Sequence, residues 1–118
     1  MSKLQVNKHQ NGEILILALN GMLDVHTVPV FESALTEAIA SQQFKIVVDL
    51  SQLAYISSAG LGVFMGYVEE IRSHNGDIKI AGANSKVYKI FDLLGFPNLF
   101  EFYDSVEKAI QQFQTDGS

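Results

Sequence analysis

Two apolar runs constrain this chain most. Residues 14–19 read Ile14-Leu15-Ile16-Leu17-Ala18-Leu19, and residues 45–50 read Lys45-Ile46-Val47-Val48-Asp49-Leu50. The first carries no polar side chain, so as a strand it needs cover on both faces. A helical pattern follows each run. Val28, Phe31, Leu35, Ala38 and Ile39 recur at helical spacing and share one face. Pro29 is tolerated only in a first turn, which sets that helix's start near residues 26–28. The second helix is expected from about Ser58 to Ser73, with Asn75-Gly76 as its stop. Strands handing over to helices predict an α/β fold with helices packed on a sheet.

The rest of the chain continues this alternation. Residues 4–6 read as a first strand, and Asn11-Gly12 as a hairpin turn into the second. Asn20-Gly21 is expected to end that second strand, and residues 51–56 to link the third strand to its helix. Residues 77–81 read as a fourth strand. Val87, Ile90, Phe91 and Leu94 mark a third helix, stopped by Gly95 with Pro97 beyond. Residues 99–102 read as a last strand. Asp104 and Glu107 have the offset of a capping box, and Val106, Ala109, Ile110 and Phe113 give the last helix its apolar face. The expected order is β-β-α-β-α-β-α-β-α, a mixed sheet flanked by about four helices. The 118 residues suffice for one domain with one core, spanning about 4–113, with 114–118 as a frayed tail. A packed C-terminal core accounts for most of the aromatic residues Phe91, Phe96, Phe100, Phe102 and Phe113, with a docking surface as the alternative for some of them.

Composition narrows function by exclusion. Hydrophobic residues make up 47% and charged residues 18%, the balance of a folded chain. There is no Cys, so disulfides and thiolate metal sites are impossible. The net charge is -5, and the eight basic residues are scattered, which leaves nucleic-acid binding without a basic patch. No apolar run reaches the roughly 18 residues of a membrane span, and residues 1–5 lack the apolar segment of a signal peptide. A soluble cytoplasmic protein is expected.

The chemistry-bearing candidates centre on Ser57-Ser58-Ala59-Gly60-Leu61-Gly62. Two hydroxyls stand where a strand meets a helix N-terminus, a place rich in free backbone N–H groups. Ser58 could cap the helix, act as a nucleophile, or accept a phosphate. A nucleophile elbow needs Gly-x-Ser-x-Gly, and Ile56 stands at the first glycine position. A nucleophile also needs an oriented base, and neither His9, His26 nor His74 shows a paired acid. A phosphoacceptor needs no base of its own, because a kinase supplies one. Gly60 and Gly62 lack the Lys-Ser/Thr of a phosphate loop, and Met65 stands where a dinucleotide fingerprint needs its third glycine. Those glycines instead suit a helix start lying close to neighbouring backbone. Asp24 precedes the first helix and reads as a cap or turn residue, or as a polar contact beside Ser58 if both loops share one end of the sheet. His26 has no second metal ligand at a sensible offset.

Residues 48–62, Val-Asp-Leu-Ser-Gln-Leu-Ala-Tyr-Ile-Ser-Ser-Ala-Gly-Leu-Gly, resemble the signature of the STAS domain of bacterial anti-sigma factor antagonists. Gly21-Met22-Leu23-Asp24 is similar to a second landmark of that family, and the resemblance spans residues 4–113. It implies a single STAS domain that binds an anti-sigma factor which is also a serine kinase, releases a sigma factor, and is switched off by phosphorylation and restored by a serine phosphatase. By that resemblance Ser58 is the phosphoacceptor, with Ser57 a minor alternative, and Asp24, Ser57, Ser58, Ala59 and Gly60 contact the partner. Ser57 stands where the family's kinase substrates often have Asp, and Met22 where Glu is common. The resemblance implies no catalytic residue, cofactor or metal. An alternative within the family is an unswitched STAS subunit of a transporter or stress-signalling assembly.

Overall fold

A computed structural model describes residues 3–116. Its elements run β1 (Leu4–Asn11), β2 (Ile14–Leu23), α1 (Val28–Ala40), β3 (Lys45–Ile56), α2 (Ser58–Ser73), β4 (Asp77–Ala81), α3 (Ser85–Leu93), a 3-10 turn (Phe96–Asn98), β5 (Phe102–Tyr103) and α4 (Val106–Asp116). The five strands lie in chain order across one sheet. β1 pairs antiparallel with β2, and every later neighbour is parallel. The expected mixed α/β order is the observed one.

Strand periodicity sorts the core into two layers. Leu15, Leu17, Leu19, Ile46, Val48, Ile78 and Ile80 face the main core with Phe31 and Leu35 of α1, Phe64 and Ile71 of α2, and Val87 and Phe91 of α3. The alternate residues Ile14, Val47 and Ala81 meet Ala109 and Phe113 of α4 on the opposite face. Helices on both faces explain why the run at residues 14–19 is apolar throughout. The five late phenylalanines divide the same way. Phe91, Phe96 and Phe100 are buried in the main core with Phe102 partly buried against it, and Phe113 lies under α4.

Several boundaries differ from the sequence reading, each for a tertiary reason. β1 runs on to Asn11, because every residue from Leu4 onward has a partner on β2. β2 continues through Asn20-Gly21 to Leu23. The strand absorbs irregularities there, and Gly21 (φ 122°) sits so close to the Lys3 carbonyl that a Cβ would overlap it. Residues 51–56 are strand rather than link, since Leu53 and Ile56 are buried and pair with Gly21 and Leu23. At the end of α2, Asn75 takes the left-handed position (φ 63°), while Gly76 is needed because a Cβ would strike the Phe44 carbonyl. The last strand is only Phe102–Tyr103, with residues 96–98 in the 3-10 turn before it. The capping box at α4 is absent. Ser105 Oγ accepts from the Lys108 N–H at 3.3 Å, and Asp104 meets the Lys108 ammonium at 3.5 Å instead. Gln114, Thr115 and Asp116 are helical rather than frayed; Gly117 and Ser118 lie outside the described residues.

Lys79 explains why α4 holds to its end. Its side chain is 1% exposed, yet its ammonium lies 2.6 Å from Glu101, 3.1 Å from Asp116 and 3.6 Å from Asp77. It also sits 4.7 Å from the centre of the Phe113 ring. Burial pushes the ammonium's pKa down, but the hydrogen bonds to Glu101 and Asp116 outweigh it and hold it above the usual lysine value. Hydrogen bonds from Lys79 and then Tyr103 hold the Glu101 carboxyl below the usual range, and Gln112 and Lys79 do the same for Asp116. Burial, then the bond to Glu101, pushes the Tyr103 phenol up.

The signs follow by linkage. The depressed carboxyls stabilise the fold above their unfolded pKa values of about 4, and that contribution is lost as pH falls through their lower folded values. The raised Lys79 contributes fully below about pH 10.4 and loses its contribution as pH rises through its folded value. Lys79→Met removes the charge without stranding a buried partner, since Glu101 and Asp116 are about half exposed and the more buried Asp77 keeps Arg72 at 2.8 Å. Its stability at pH 7 is expected within about 1 kcal/mol of wild type, with a shallower loss in acid. Urea unfolding of both proteins from pH 2 to 7 checks this, and equal acid slopes refute it.

A candidate phosphoacceptor site at the β3–α2 junction

β2, β3, β4 and β5 are parallel, so the loops leaving their C-terminal ends gather at one end of the sheet. β3 and β2 finish there in register, Leu23 beside Ile56, and the Ser57 N–H donates to the Leu23 carbonyl at 2.9 Å. The two loops read from the sequence as candidate surfaces are thereby fixed to each other.

The adjacent serines divide their work. Ser57 is the N-cap of α2: its backbone is extended (φ -100°, ψ 173°) and its hydroxyl accepts from the Gly60 N–H at 3.4 Å. Its carbonyl accepts from the Leu61 N–H at 3.1 Å. This corrects the reading of Ser58 as the cap. Ser58 is the first helical residue and is exposed, and among the described residues nothing bonds its hydroxyl. Ala59 is half-buried. Gly60 is buried, and a Cβ there would lie 2.8 Å from Leu23 Cγ and 3.0 Å from Ile56 Cγ1. Close packing therefore accounts for Gly60, though against side chains. It does not account for Gly62, which has open space where a Cβ would stand.

The loop before α1 is built around Asp24 and Thr27. Asp24 Oδ1 accepts from the His26 N–H at 2.9 Å and the Thr27 N–H at 3.2 Å. Thr27 Oγ1 donates to the Met22 carbonyl at 2.8 Å and accepts from the Asp24 N–H at 2.9 Å. Asp24 is thus a turn residue that also presents its half-buried side chain at the end of the sheet shared with Ser58. Thr27 is 5% exposed and knots this loop. The sequence reading missed it, although the Asp-x-x-Thr spacing was its signal. His26 is exposed and contributes its backbone N–H. Three apolar side chains also stand exposed in these segments: Met22 (37%), Val25 (66%) and Tyr55 (43%).

The electrostatics are simple. No basic residue occurs between Lys8 and Lys45, or between Lys45 and Arg72. The loops at Asp24 and Ser58 therefore bring no cation of their own. Ser57 engages the Gly60 and Leu61 donors, leaving the Ser58 and Ala59 N–H groups as the positive end of α2. That end tolerates an added anion, while a partner seated over it would face an uncompensated charge. Among the described residues no group of three or more His, Asp or Glu is placed to hold a metal ion, and no helix is long and apolar enough to cross a membrane.

The STAS domain model matches residues 5–109. This chain belongs to the STAS domain family. Among its relatives, the anti-sigma F factor antagonist of Paenibacillus polymyxa is 30% identical over 112 residues, covering 94% of this chain and 96% of that one. The anti-sigma-B factor antagonist of Bacillus subtilis is 25% identical over 108 residues, covering 92% and 98%. Among solved structures, the Bacillus cell fate determinant SpoIIAA in its phosphorylated form superposes with a TM-score of 0.71 at 22% identity, covering 93% of this STAS domain and 98% of its own chain.

Proposed function

We propose that this STAS domain is an anti-sigma factor antagonist whose binding to an anti-sigma factor is switched by phosphorylation of Ser58. The observation that carries the reading is the division between the two serines. Ser57 does the capping, so the Ser58 hydroxyl stands exposed and uncommitted at the helix start. The relatives named as anti-sigma factor antagonists, and a structural neighbour described in a phosphorylated form, support the same reading.

In the proposed reaction a serine kinase, itself the anti-sigma factor, transfers the γ-phosphoryl group of ATP to Ser58 Oγ. ADP leaves, and the hydroxyl proton passes to a base of the kinase. The STAS domain is substrate and binding partner and supplies no catalytic group. The phosphate adds about -1.5 to -2 charges at pH 7 where the adjoining loops hold no Lys or Arg. The helix terminus accommodates that charge, the complex is weakened, and a serine phosphatase resets the switch by hydrolysis. The unmodified form holds the anti-sigma factor and frees its sigma factor.

The test is to incubate the purified protein with serine kinases of the anti-sigma type and ATP, then map the phosphate by mass spectrometry. Label on Ser58 is expected, with Ser57 unlabelled because its hydroxyl is held inward by the cap. Label confined to Ser57, or none from any kinase that binds the protein, sinks the proposal.

A further inference from the structure

Three Asn-Gly pairs punctuate the chain: Asn11-Gly12, Asn20-Gly21 and Asn75-Gly76. This dipeptide carries its own chemistry. The backbone nitrogen after an asparagine can attack that residue's side-chain carbonyl carbon, and glycine, with no Cβ, shields the nitrogen least. The attack asks two things of a fold. The nitrogen's N–H must be free of a hydrogen bond, and the backbone must be able to turn it toward the side chain.

The fold denies both to two of the pairs. Asn20-Gly21 lies inside β2, with β1 on one side and β3 on the other. Gly21 is pressed against the Lys3 carbonyl, which also accepts from the Met22 N–H at 2.9 Å. Turning that peptide means parting β2 from its neighbours. In Asn75-Gly76 the Gly76 N–H donates to the Ile71 carbonyl at 3.2 Å, and Gly76 is pressed against the Phe44 carbonyl. Asn11-Gly12 is different. Asn11 ends β1 and pairs with Ile14 across the hairpin turn, and both Asn11 and Gly12 are exposed. Among the described residues nothing accepts from the Gly12 N–H, and the space where a Cβ would stand is open. Only the Gly12 carbonyl is engaged, by the Gln10 amide at 3.0 Å. Fraying of this terminal pair frees the peptide, and that costs far less than opening an interior strand.

We propose that Asn11 is a modification site, where the folded protein deamidates without an enzyme. The Gly12 nitrogen gives its proton to solvent base and bonds to Asn11 Cγ. The Cγ–Nδ2 bond breaks, and the departing nitrogen takes up a proton and leaves as ammonia. Water then opens the five-membered ring. Cleavage at Cγ gives an aspartate; cleavage at the backbone carbonyl gives an isoaspartate, with the chain routed through Cγ. One water is consumed and one ammonia released, with no change of oxidation state. Either product adds a negative charge to a chain already at -5, in the crevice that Asn11 shares with Lys45. β2 and β3 start at this end, with Ile14 beside Lys45, and finish at Leu23 and Ile56. The site is thus at the far end of the sheet from Ser58, and the inference is independent of the function proposed above.

The experiment ages the purified protein in mildly alkaline buffer, folded and in guanidinium chloride, and maps each Asn-Gly peptide by mass spectrometry. In the folded protein, conversion at Asn11 is expected to run at least about tenfold faster than at Asn20 or Asn75, a ratio equal to about 1.4 kcal/mol. In denaturant the rates are expected to converge, because the hydrogen bonds and packing that separate them are gone. An acidic form should accumulate on ion exchange, faster as pH rises, because the attacking nitrogen must lose its proton. Asn11→Gln should abolish it, since the longer side chain would have to close a six-membered ring. Conversion at Asn20 or Asn75 that matches Asn11 in the folded protein overturns the inference. So does an Asn11 that stays intact in the folded protein while the denatured chain reacts.

Discussion

Ser58→Asp is expected to weaken the complex with the anti-sigma factor by about five- to 150-fold, the scale of a coupling of about 1–3 kcal/mol, without unfolding the protein. The two halves of that expectation have separate causes. The fold tolerates the carboxylate because residue 58 is exposed, first in α2, and next to free backbone N–H groups. A negative charge in a helix's first turn contributes about 0.3–1 kcal/mol, so the melting temperature should hold or rise slightly. The complex suffers because a docked surface would desolvate a charge for which the loops at Asp24 and Ser58 carry no cation. Ser58→Ala is the control: it should bind normally and take no label. Calorimetric titration of the three forms, with a melting curve for each, decides the matter. Unchanged affinity of the Asp form refutes the charge argument.

Phe64→Ala is expected to remove about 3–5 kcal/mol of stability, the largest effect of any single truncation considered. Phe64 projects from α2 and is fully buried. Its ring packs 5.2 Å from Phe31 of α1, 5.6 Å from Phe91 of α3 and 6.0 Å from Phe100 before β5, centre to centre. Three separately coded segments therefore meet on one side chain, and no single neighbour can relax to fill the space it leaves. Against a total of about 5–15 kcal/mol for a domain of this kind, the loss lowers the melting temperature by roughly 10–20 °C. Urea unfolding should show a lower midpoint with an unchanged slope. Leu93→Ala, at 78% exposure, is the matched control and should stay within about 0.5 kcal/mol. A loss under about 1 kcal/mol for Phe64→Ala would show that the three helices do not pack as described.

Much of the architecture was legible in the residues themselves. Helical spacing of Val28, Phe31, Leu35 and Ala38, Pro29 in a first turn, and the uniform apolar run at residues 14–19 suffice for a sheet covered on both faces. These are signals of period and local stereochemistry, and they act over a few residues. The errors cluster where a long-range partner overrules a local cue. Gly21 looks like a strand end, yet β2 continues because β1 and β3 bond it on both sides. Residues 51–56 look like a link because the apolar pattern lapses, yet their pairing to β2 and the burial of Leu53 and Ile56 keep them extended. The end of α4 looks frayed, yet Lys79, 37 residues earlier, holds Asp116.

The same division runs through the site. By itself the sequence determined that two hydroxyls stand at a helix start without the base or the phosphate-loop residues an enzyme would need, because those are questions of residue type and spacing. Which serine caps and which is free was decided by tertiary structure. The bond from the Ser57 N–H to the Leu23 carbonyl fixes where β3 ends, and that puts Ser57 at the cap position with Ser58 one step inside the helix. The placing of Asp24 beside this junction is likewise a product of strand register. Register sums pairings across the whole sheet, and no local stretch of sequence carries it.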